Sequence, residues 1–175
     1  MKTSIIAISA GLIATSALTT TPAAAEDIRS PGRFGLGIGS GTLANGLSAK
    51  YFASKQHAFQ FHLGPYGGGG FKNRWAHVDG LGLGADYLFE MPSIARVGKA
   101  FELGWNLGVG LGLGFRERDD ELDGFALAAA FVAGLEFNFI PVPLDLVLEW
   151  RPSILVVPDV GVDLVDFTAQ LRFYF

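Results

Sequence analysis

Apolar and polar residues alternate along most of this chain, and the alternation runs longest between residues 100 and 116. Phe101, Leu103, Trp105, Leu107, Val109, Leu111, Leu113 and Phe115 share one parity there. Glu102, Gly104, Asn106, Gly108, Gly110, Gly112, Gly114 and Arg116 share the other. Period two kept over that length predicts a β-strand with one oily face and one polar or glycine face. The same rhythm predicts strands over 33–40, 46–53, 57–65, 78–90, 124–139, 143–156 and 162–175, eight in all with 100–116. The connections alternate sides. One set is Ser54–Gln56, Met91–Lys99 and Ile140–Val142. The other is Thr42–Asn45, the Gly67–Ala76 loop, Glu117–Asp123 and Pro158–Gly161.

The direction of the faces follows from volume. An eight-stranded barrel has an interior just wide enough for side-chain packing or one small ligand. The bulky residues on the apolar faces are too many for that space, which argues against a soluble ligand-binding barrel. Turned outward into hydrocarbon they need no room, and the glycine face suits the narrow interior. The expected fold is therefore all-β, an eight-stranded antiparallel up-and-down transmembrane β-barrel. Aromatics fit two interfacial rings. Phe34, Phe59, Phe89, Phe101, Phe137, Phe139, Phe173 and Phe175 fall at one set of strand ends, and Phe115, Phe125 and Trp75 at the other.

Composition sharpens this. Half of the residues are hydrophobic and mean hydropathy is +0.36, yet after residue 25 no run is long and apolar enough for a spanning helix. The first 25 residues read as a cleaved signal peptide: Met1-Lys2, an apolar Ile5–Leu18 stretch, then Ala23-Ala24-Ala25 before Glu26. That leaves residues 26–175 as one barrel domain. There is no cysteine, which removes thiol catalysis and thiolate metal sites. A net charge of −4 offers no basic footprint for nucleic acid. The Gly-x-Gly runs open no helix, so they are not phosphate loops.

Chemistry must be sought on the inward face. Its expected charges are Arg33, Lys50, Asp86, Glu90, Glu102, Arg116, Glu136, Asp145, Glu149, Arg151, Asp166 and Arg172, with His62, Asn106 and Asn138 among them. Buried charges are costly unless paired, so these residues are expected to form a lumen ion-pair network that closes the barrel; a gate or narrow polar conduit is the alternative. Gly35/37/39, Gly80/82/84 and Gly108/110/112/114 leave parts of the inner wall bare. That either makes a water-filled vestibule or lets strands flatten and pack. Catalytic signals are thin. His77, Asp79 and Ser40 fall near one rim, but their spacing matches no motif of a known lipid-modifying barrel family. Asp119, Asp120, Glu121 and Asp123 lack the rhythm of a calcium loop. No metal or cofactor is expected, and no enzymatic activity.

The final strand, Phe167–Phe175, alternates to its end and stops on an aromatic residue. With the signal peptide and the eight strands, it resembles the closing strand of small bacterial outer-membrane barrels of the OmpA/OmpX type. The likeness covers the whole mature chain and is architectural. It implies a place in the bacterial outer membrane with both termini periplasmic, and contact with outer-membrane lipid and lipopolysaccharide. It also implies biogenesis by the barrel-assembly machinery, with Phe167, Leu171, Phe173 and Phe175 as the assembly signal. The chain departs from that class in lacking a periplasmic wall-binding domain and in its short outer loops. The function expected is a structural, surface or assembly role with an unidentified envelope partner. A narrow channel for small solutes or ions is the first alternative, and a lipid A-modifying enzyme the second.

Overall fold

The computed structural model describes residues 27–66, 80–98, 100–118 and 121–175, and for 116–118 and 121–123 the backbone alone. The expected signal peptide, Trp75, His77, Asp79 and the Arg116 side chain lie outside the described residues. Among the described residues there is no helix. There are eleven strands: β1 Phe34–Ser40, β2 Asn45–Phe52, β3 His57–Tyr66, β4 Gly80–Glu90, β5 Ala95–Val97, β6 Phe101–Arg118, β7 Glu121–Phe139, β8 Leu144–Trp150, β9 Ser153–Val157, β10 Gly161–Asp163 and β11 Phe167–Tyr174. Pairing runs β1–β2–β3–β4–β6–β7–β8–β11 and returns to β1, antiparallel throughout, so eight strands close a barrel.

The remaining three strands show where the alternation pattern was too coarse. The predicted strand 143–156 is two pieces, β8 and β9, both paired to β7. Pro152 sits at the break because it has no N–H for the ladder; its carbonyl still accepts from Phe131 N at 3.0 Å. The predicted strand 162–175 breaks likewise into β10 and β11. Polar groups cap this second break: Trp150 Nε1 donates to Leu164 O at 2.9 Å, and Val165 N donates to Asp163 Oδ1 at 3.1 Å. The predicted Met91–Lys99 connection contains β5, a short strand on the edge of β6.

Register fixes the shape. Starting at Leu36 and following cross-strand partners one way gives Ala49, Phe61, Ala85, Leu111 and Ala129. The other way gives Phe173, Leu144 and Phe139. The two paths meet β7 ten residues apart. Eight strands with a shear of ten tilt by roughly 40° and enclose a tube roughly 16 Å across between backbones. Nothing but side chains and short turns fits inside.

The faces are inverted relative to a soluble protein. Outward residues stay exposed, Ile38 at 65% and Val109 at 61%, while Lys50, Gln60, Asn106 and Arg151 on the inward face are 0% exposed. At the end where the chain enters and leaves, here the near end, aromatics stand side by side on the outside. Phe34, Tyr51, Phe59 and Tyr87 are successive register partners, and His57 pairs with Phe89.

The closing seam between β1 and β11 leaves no space on its inner face. A Cβ on Gly37 would collide with the Leu171 carbonyl oxygen and the Arg172 Cα. Overpacking of this kind costs about 1–3 kcal/mol. Gly37→Val is expected to lower unfolding stability by that order in equilibrium chemical denaturation. Gly98→Ala, beside open space on the near-end turn, should cost less despite its φ of +55°.

Candidate functional site

The barrel interior holds the chemistry, in two layers. In the layer nearer the chain ends, Glu136 of β7 is the hub. It accepts from Lys50 Nζ of β2, from Asn106 Nδ2 of β6 at 2.7 Å and from Arg29 Nη2 at 2.8 Å. Glu90 of β4 lies 2.7 Å from Lys50 Nζ and 3.5 Å from Arg29 Nη2. On the opposite wall Arg172 of β11 pairs with Asp145 of β8 at 2.9 Å, and Tyr174 donates to the same carboxylate at 2.7 Å. All of these side chains are buried.

Arg29 comes from outside the strands. The segment before β1 folds back under the barrel, where Ile28 joins Phe52 and Tyr174 in an apolar cluster. Gly104 on β6 makes room: a Cβ there would strike the Arg29 guanidinium. Burial acts to lower the Arg29 pKa. The carboxylates of Glu136 and Glu90 more than offset that, so the pKa is raised and the guanidinium stays charged.

The far layer is centred on Arg151, which lies just past β8. Its Nη2 donates to Asp86 Oδ1 at 2.6 Å and to Thr42 Oγ1 at 3.0 Å, and its Nη1 donates to Glu149 Oε2 at 2.6 Å. Gln170 and Thr168 of β11 also donate to Glu149, at 2.9 and 3.3 Å. His62 Nε2 lies 3.3 Å from Asp86 Oδ2. Gln60 links the layers: its amide donates to Asp86 and Glu149 at 3.0 Å each, and its carbonyl accepts from Arg172. Arg29, Lys50, Arg151 and Arg172 thus face Asp86, Glu90, Glu136, Asp145 and Glu149 across a tube of one side-chain length.

Other expected members sit at the rims or elsewhere on the inner wall. Glu102 sits at the near rim, accepting from Ser93 Oγ and lying 3.7 Å from the exposed Arg96. Arg33 is half-buried at the same rim, with its carbonyl closing the β1–β2 pair onto Phe52 N at 3.0 Å. Asp166 is buried, and its carbonyl accepts from Arg151 N at 2.8 Å, stitching the two strand breaks together. Asn138 is buried on the inward face of β7. Arg29 and Thr42 escaped the sequence reading because they lie outside the alternating segments. Gln60 and Gln170 sit on the polar parity, and their uncharged state hid them.

The glycine ladders have a specific use. The connection after β1, expected on the outside as Thr42–Asn45, folds into the barrel instead: Gly41, Thr42, Ala44 and Asn45 are buried. The change is steric. A Cβ on Gly82 would strike the Leu43 carbonyl, one on Gly112 the Thr42 carbonyl, and one on Gly64 the Asn45 carbonyl. Elsewhere the missing side chains admit the rings of Tyr174 (at Gly35) and Tyr66 (at Gly114), and the Asp86 carboxylate (at Gly110). The bare wall is occupied by other parts of the chain.

Among the described residues no group of three or more His, Asp or Glu side chains is placed to hold a metal ion. No family profile, curated protein or solved structure matches the chain.

Breaking one buried pair strands a charge, at about 3–5 kcal/mol, whereas replacing both partners by apolar residues is often close to neutral. Arg172→Met is expected to destabilise by that order. Adding Asp145→Leu should recover part of the loss, so that the double-mutant cycle in chemical denaturation is strongly non-additive.

Proposed function

We propose that the chain is an integral outer-membrane β-barrel with a structural, surface or assembly role, whose lumen is closed. Three features support the membrane. The exposed apolar belt is unbroken around the register. Aromatics ring its near end, as at membrane–water interfaces. Closure also leaves few strand edges, which is what hydrocarbon demands of a spanning sheet. The net packing of charges inward and oil outward fits lipid on the outside and disfavours a soluble role.

The observation that carries the closed reading is burial in the middle of the tube. Lys50, Gln60, Glu90, Asn106, Glu136, Glu149, Arg151 and Arg172 are each at most 1% exposed. A column of water running past them would leave them accessible. The proposed partners are outer-membrane lipid and lipopolysaccharide along the belt and the barrel-assembly machinery during biogenesis. The Phe167–Phe175 strand is the proposed assembly signal.

Two outcomes test this reading. Pure folded protein in a planar bilayer should show no steady unitary conductance; reproducible steps would replace the closed barrel with a channel. Leu111→Arg, on the outward face at mid-belt, should cost about 2–4 kcal/mol in unfolding from lipid bilayers. The same change at Ile94, an exposed site by the near-end rim, should cost far less.

A further inference from the structure

We propose that the free edge of β10, Gly161–Asp163, docks an extended protein segment whose side chains alternate between apolar and basic. The proposal gives the envelope partner of the surface role argued above a chemistry, and it rests on that reading.

β10 stands at one end of the ladder order, paired to β9 on one side and to no described strand on the other. The open side has a cause in the fold. β10 leads into β11, and the wall strand beside β11 is β1. The last rung of that pair joins Gly39 to Gln170, and β1 ends at Ser40, short of the level of β10. The chain then turns inward over Gly41–Ala44, so it does not continue the wall there. The edge left behind is preformed. Gly161, Val162 and Asp163 are fixed opposite Leu155, Ile154 and Ser153 of β9. Trp150 Nε1 donating to Leu164 O, and Val165 N donating to Asp163 Oδ1, hold the residues that follow. An ordered strand with one open side is a template for another strand.

The side chains select the partner. Val160, Val162 and Leu164 share one parity and are all exposed, Val160 at 80%. Asp159, Gly161 and Asp163 share the other. From residue 152 to residue 171 there are three aspartates and no Lys, Arg or His. A strand laid along β10 meets apolar groups on one face and carboxylates on the other. Cross-strand pairing there favours apolar residues alternating with cations. A second copy of the chain does not fit. Two barrels inserted the same way are related by an axis along the membrane normal. With strands tilted by roughly 40°, that axis crosses the two β10 strands at roughly 80° instead of setting them side by side. The other end of the ladder order, β5, lies at the near end of the barrel, at a different depth.

The test uses the folded barrel in phosphatidylcholine vesicles and a labelled synthetic peptide alternating lysine and valine. Fluorescence anisotropy should show saturable binding that protein-free vesicles lack, and isotope-edited infrared should place the bound peptide's amide I band at the β-sheet position. Methylating alternate peptide amides removes the donors that face the edge and should weaken binding by about tenfold or more. Val162→Lys puts a charge of the wrong sign on an exposed edge site and should abolish binding. Asp159→Asn combined with Asp163→Asn should weaken binding by about fivefold and flatten its salt dependence. Asn at 163 keeps an acceptor for Val165 N, so the edge stays formed. Binding that survives amide methylation or Val162→Lys would overturn the docking edge. Absence of peptide binding would overturn it too; calcium-dependent capture of lipopolysaccharide, lost in the double Asn variant, would then assign the acidic edge to lipid. Brominated-lipid quenching in the same vesicles reports the belt separately. An embedded barrel that ignores the peptide refutes the docking edge and leaves the membrane reading standing.

Discussion

The described structure depends above all on holding Arg29, Lys50, Arg151 and Arg172 against Asp86, Glu90, Glu136, Asp145 and Glu149 inside a tube one side chain wide. An isolated buried charge is prohibitively costly, and even a pair gains only when its geometry and its remaining hydrogen bonds are good. The barrel meets that condition by making its charges share partners. Glu136 serves Arg29, Lys50 and Asn106, Arg151 serves Asp86 and Glu149, and Gln60 joins the two layers. The network spans seven of the eight barrel strands and the segment before β1, so it ties distant parts of the sheet together. A buried pair adds little net stability, but an alternative register would leave charges unpaired, and this favours a single closure.

The second constraint is space. Shear and strand number set the tube's width, and that width is less than the ionic column and the inserted turn would need against ordinary side chains. Glycine supplies the difference at particular points. Gly104 receives Arg29, Gly82 and Gly112 receive the β1–β2 turn, and Gly110 receives Asp86. Each oily partner on the same strands points the other way and is indifferent to what lies inside. One strand therefore carries two independent designs on its two faces.

Much of this was legible in the sequence because a period of two is a strong signal over long strands. The 100–116 segment fixed both the element and its polar face, and the closed eight-stranded sheet followed from counting such segments. The inward placement of Lys50, Glu136, Glu149, Arg151 and Arg172 came from parity alone. What escaped has a common cause: contacts made by residues with no periodic neighbours. Arg29 precedes the first strand, and Thr42 sits in a four-residue turn whose inward course depends on glycines 40 to 70 positions away. Pro152 announced a weak point in its strand, but only the pairing of β9 with β7 shows that the strand resumes. The glycine ladders were visible, whereas their occupants were set by the three-dimensional register.

The membrane orientation of the oily belt is the claim on which the functional reading stands. It is tested most directly by tryptophan quenching with brominated acyl chains, using a Trp75→Phe variant so that Trp105 and Trp150 alone report. Refolded into bilayers, the protein should lose much of its fluorescence to bromine in the chains and little to a water-soluble quencher. Recovery of the folded barrel as a detergent-free aqueous monomer, unquenched by brominated lipid, would contradict the account.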